Sequence, residues 1–133
     1  MGAWDATSFG NDTASDWAYG LEECDDFSYI DDTLQKILDE GGGYIDAGDG
    51  AEAVAAAEVV AWLLGRAIPA DAYTESVADW VAAHSIPPPP ELVSKALAVL
   101  HRIQGKSSEL SELWGNDGEW ITSMADLRTR LTV

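Results

Sequence analysis

Apolar residues recur along most of the chain at helical spacing, and no run alternates like a strand for more than a few residues. Asn11 and Asp12 suit the cap of a first helix that carries Ala14, Trp17, Ala18 and Leu21 on one face, with Phe9 placed to pack back onto it. A second helix is predicted from about Tyr29 to Glu40, with Ile30, Leu34, Ile37 and Leu38 inward. Its first turn holds Asp31 and Asp32, where carboxylates oppose the positive end of the helix dipole, and Gly41-Gly42-Gly43 ends it. After Asp49-Gly50 the run AEAVAAAEVVAWLLG is apolar almost all round apart from Glu52 and Glu58. A helix apolar on every side is buried on every side, and its alanines let neighbours come close. It is therefore expected at the centre of the fold.

A fourth helix, about Ala72–His84, aligns Tyr73, Val77, Trp80, Val81 and His84. Pro87–Pro90 then reads as a short polyproline II spacer, and Pro90 suits the first position of the helix that follows. That helix, Glu91 to Gln104, is expected to bury Leu92, Val93, Ala96, Leu97, Val99, Leu100 and Ile103. Ser108 opens a short turn with Leu110, Leu113 and Trp114, and a last helix, about Glu119 to Leu131, puts Trp120, Ile121, Met124, Leu127 and Leu131 on one stripe. Residues 91–133 are too few to hold a core alone. The pattern predicts an all-α fold, a compact single-domain bundle of six or seven helices around a central Ala-rich helix. The domain spans 1–133, with an N-terminal arm at 1–10 and the polyproline spacer at 87–90.

Composition leaves that fold intact and narrows its chemistry. The chain has 133 residues, 47% of them hydrophobic, which is ample material for a core. Its 24 acids against 7 bases give a formal net charge of −17, and such a polyanion repels nucleic acid. Position sharpens the picture. Residues 1–58 hold ten Asp, five Glu and only Lys36 as a base, so 14 of the 17 charges belong to the first half. The densest run is Glu22, Glu23, Asp25, Asp26, Asp31 and Asp32. One reading is solubility, because like-charged surfaces keep small proteins apart. The other is a docking face for a basic protein partner; Trp4, ahead of any helix, reads either as a pin of the N-terminal arm onto the core or as an aromatic contact of that face.

The opening MGAWDATSFGNDTASDW resembles the start of a bacterial family catalogued as domain of unknown function 4259, whose members look like M-G-A-W-x-x-x-x-F-x-N-D-x-A-x-D-W. Asp5 stands where family members often carry glycine. The likeness continues through AEAVAAAEVVAWLLG at 51–65, SELSELW at 108–114 and EWITSMADLRTRL at 119–131. The resemblance implies a small cytosolic helical protein and carries over no catalytic residue.

Candidate chemistry is sparse. The only histidines are His84 and His101, no G-x-S-x-G is present, and Cys24 sits among carboxylates that raise rather than lower a thiol pKa. His84 ends an apolar stripe and reads as a packed imidazole, whereas His101 reads as surface. One Cys and two His without H-E-x-x-H do not make a zinc site, so no metal site is expected. Asp46-Ala47-Gly48-Asp49-Gly50 lacks the spacing of a calcium loop, and Gly41–Gly43 has no lysine to meet a phosphate. No catalytic residue and no cofactor are expected. No signal peptide, myristoylation pattern or membrane span is found, and the single cysteine suits a reducing compartment, so the expected location is the cytoplasm.

These features support a non-enzymatic protein-binding module, of the kind an immunity protein or antitoxin represents, that meets a basic partner. An alternative from another class is a carboxylate-based metal-dependent hydrolase built around Glu58, the one strong inward-facing acid. A self-associating scaffold subunit is the third reading.

Overall fold

A computed structural model describes residues 12–66, 75–84, 86–114 and 117–132. Phe9, Asn11, Tyr73 and the arm at 1–10 lie outside the described residues. The described chain forms α1 (Asp12–Leu21), α2 (Ser28–Asp39), α3 (Ala47–Leu63), α4 (Glu75–Ala83), α5 (Pro90–Ile103), α6 (Glu109–Trp114) and α7 (Gly118–Leu131). Among the described residues there is no strand, only an isolated parallel bridge between Ile45 and Ser108. The fold is all-α, as the spacing predicts.

The Ala-rich helix is the axis of the bundle. Its seventeen residues span about 25 Å at 1.5 Å per residue, and α3 touches every other helix. Ala53, Ala55, Ala56, Ala57 and Ala61 are fully buried, so neighbouring helices approach its backbone without a large side chain between them. A single core cluster draws residues from all seven helices, with Trp17, Trp62, Trp80 and Trp120 as its largest members. Truncating such an aromatic to Ala costs about 3–5 kcal/mol.

The start of α3 differs from the sequence expectation. The helix begins at Ala47, so Asp49 and Gly50 lie inside its first turn rather than ahead of it. Asp46 is the cap: its carboxylate accepts from the Asp49 amide at 2.8 Å. The Glu109 carboxylate reaches across from α6 and accepts from the Ala47 amide at 2.7 Å. Gly50 serves close packing here rather than a turn, because a Cβ at this position would stand 2.9 Å from Leu110 Cδ1.

Two strands of loop are tied beside that start. Ile45 N donates to Ser107 O and Glu109 N donates to Ile45 O, each at 2.9 Å. Ser107 adopts φ 58°, a left-handed conformation unusual for a residue with a Cβ. Arg102 clamps the same corner by donating to the carbonyls of Gly41, Gly43 and Lys106. Gly41, at φ 56°, ends α2 as expected of the glycine run.

Most stripes lie as read, with exceptions that helical geometry explains. Trp120, Met124, Leu127 and Leu131 face inward on α7, but Ile121 is 46% exposed because it follows Trp120 directly, about 100° further round the helix. In the six-residue α6, Leu110 is buried and Trp114 half-buried, leaving Leu113 exposed. Val93 and Leu97 are half-buried at the margin of α5, as Leu38 is on α2. Helix α2 starts one residue earlier than expected, at Ser28, so Asp31 stays in its first turn and Asp32 falls just beyond. Pro89, at φ −60° and ψ 146°, is extended and Pro90 takes the first helical position. Pro88 is buried, which ties the proline segment to the fold.

Candidate functional site

The chain leaves α1 through a turn that carries four of the six clustered acids. Glu22, Glu23 and Cys24 continue to wind, their amides donating to the carbonyls of Ala18, Gly20 and Leu21. The turn is then held from two sides. On one, Trp80 Nε1 of α4 donates to the Cys24 carbonyl at 2.8 Å, and the Phe27 ring lies 6.3 Å from the Trp80 ring. On the other, Asp26 Oδ1 accepts from the Ser28 amide at 2.9 Å and its hydroxyl at 2.6 Å, which starts α2.

Beneath the turn, α1 and α2 are locked together. Trp17 and Tyr29 stack at 5.0 Å, Trp17 Nε1 donates to Thr33 Oγ1 at 2.8 Å, and the Tyr29 hydroxyl donates to Trp17 O at 3.1 Å. A Cβ at Gly20 would meet the Tyr29 hydroxyl at 2.5 Å, so glycine permits this approach. The acidic turn is therefore mounted on packed aromatics rather than hung from a free loop.

Glu22, Glu23, Asp25, Asp26 and Asp32 are exposed. Asp31 stands apart: it is half-buried and accepts from Lys95 Nζ at 2.6 Å, joining α2 to α5. The Ser28 hydroxyl and amide hold the Asp26 carboxyl below the ordinary aspartate range. Partial burial, then Asp26, Glu23 and Asp25, push the Cys24 thiol upward, so it is a poor nucleophile. Tyr19, 64% exposed, presents an aromatic ring on α1 three residues before Glu22. Its position between Ala18 and Gly20, off the stripe of Ala14, Trp17, Ala18 and Leu21, was the available signal in the sequence. Trp4 lies outside the described residues.

Most of the bases are bonded to other parts of the chain. Lys36 pairs with Asp49 at 2.8 Å, Lys95 with Asp31, and Arg102 with loop carbonyls. Arg66 and Arg130, both half-buried, join buried Glu58 where α3 meets the end of α7. Arg130 Nη1 and Nη2 grip the two oxygens of Glu58, the second at 2.9 Å, and Trp62 Nε1 donates to Glu58 Oε2 at 3.0 Å. Arg130 Nε reaches Asp126 at 2.8 Å, and Arg66 Nη1 donates to the carbonyls of Arg130 and Thr132 at 3.0 and 2.8 Å. Burial alone pulls the Arg130 guanidinium down, but hydrogen bonding and attraction to Glu58, then Asp126, outweigh it and raise the pKa.

Glu58 thus faces inward as the sequence implies, 1% exposed, and its carboxylate is engaged by Arg130 and Trp62. Among the described residues, no group of three His, Cys, Asp or Glu side chains is placed to share a metal ion. His84 is the packed imidazole expected: it stacks on Trp80 at 4.2 Å, and its Nδ1 lies 2.8 Å from Trp80 O. His101 is exposed. No helix among the described residues is long and apolar enough to cross a membrane.

The family model described as "Domain of unknown function (DUF4259)" matches residues 2–125, and the chain belongs to that family. No curated protein and no solved structure matches it.

Proposed function

For this member of the family we propose a protein-binding role without catalysis, in which the acidic turn between α1 and α2 meets a basic protein. The observation that carries the reading is the exposed group Glu22, Glu23 and Asp25, on a turn anchored by Trp80 and Asp26, with exposed Asp32 on the helix that follows. Two features support it. The turn sits on stacked aromatics, so less freedom is lost on binding than from a mobile loop. Few bases stand near this group: residues 1–58 hold fifteen acids against Lys36 alone, and Lys36 and Lys95 are each paired with an acid. Focused potential of one sign raises association rates by about 10–10³-fold.

An immunity or antitoxin-like role fits this physics. Many toxin active sites that handle nucleic acid are basic, and a small acidic domain covers such a site by charge. The proposed contact set is Glu22, Glu23, Asp25, Asp26, Asp31 and Asp32 with Trp4. Within it, Asp26 and Asp31 also serve the fold through Ser28 and Lys95.

Affinity capture by the full chain at rising salt tests the reading. A basic protein retained at about 0.05 M salt and released at about 0.5 M, where the Debye length falls to about 4 Å, is the expected result. Retention indifferent to salt overturns it.

A further inference from the structure

We draw no further inference here: the strongest candidate, the Glu58–Arg130–Arg66 cluster where α3 meets the end of α7, spends its hydrogen bonds within the fold, and nothing in the structure points to a ligand for it.

Discussion

Replacing Arg130 with Met removes the cation that faces Glu58 while keeping much of the side-chain volume. Glu58 is 1% exposed on the helix that every other helix touches, so its charge has no route to water without opening the core. Removing one partner of a buried ion pair costs about 3–5 kcal/mol, chiefly because the buried carboxylate loses the cation that grips both its oxygens. Unfolding entropy of about 2.1 cal/mol/K per residue gives about 0.28 kcal/mol/K for 133 residues, so the melting temperature falls by about 11–18 °C. Thermal unfolding followed by circular dichroism reads this directly. Two controls separate buried charge from lost packing. Asp126→Ala removes only the exposed partner of Arg130 and shifts stability by no more than about 1 kcal/mol. Glu58→Gln combined with Arg130→Met buries no charge and leaves an amide oxygen for Trp62, so it recovers most of the loss. A melting temperature for Arg130→Met within about 3 °C of the native chain refutes the reasoning. A double variant no more stable than Arg130→Met does the same.

Gly50→Val drives side-chain atoms toward Leu110 and is expected to cost about 1–3 kcal/mol in chemical denaturation, with Leu110→Ala in the same chain reducing the added loss. Ser107→Gly relieves the left-handed backbone and raises stability by about 0.5–1 kcal/mol in the same assay. In a carboxyl-carbon NMR titration Asp26 titrates below ordinary aspartate, and Ser28→Ala moves it back up. The sign follows from the lowered folded-state pKa: the contribution of Asp26 is present above the unfolded value and is lost as pH falls through the folded one.

Helix periodicity made much of the core legible because each stripe is local. Ala14, Trp17, Ala18 and Leu21, or Trp120, Met124, Leu127 and Leu131, announce a buried face within a few turns. The all-round apolar run at 51–65 placed α3 at the centre for the same reason. Features that depend on distant partners were not legible. Arg130 lies 72 positions from Glu58, and no period connects them. The early start of α3 was hidden because Asp49-Gly50 reads locally as a turn, while the Asp46 cap is supported from a distance by Glu109 and Leu110. The acidic turn was visible as charge, but its anchoring by Trp80 depends on α4, 56 positions away. Asp31 could not be told from its neighbours until Lys95 was seen against it.

Whether the exposed carboxylates of the turn and of the start of α2 engage a basic protein is read most directly by capture with two chains side by side. One is the native chain, and the other carries Glu22→Gln, Glu23→Gln, Asp25→Asn and Asp32→Asn, which leaves the Asp26 and Asp31 contacts intact. Both are compared at about 0.05 M salt after circular dichroism shows equal helicity. The expected result is a basic protein held by the native chain and lost from the neutralised one. Equal recovery by both chains, or no basic protein held by the native chain, contradicts it.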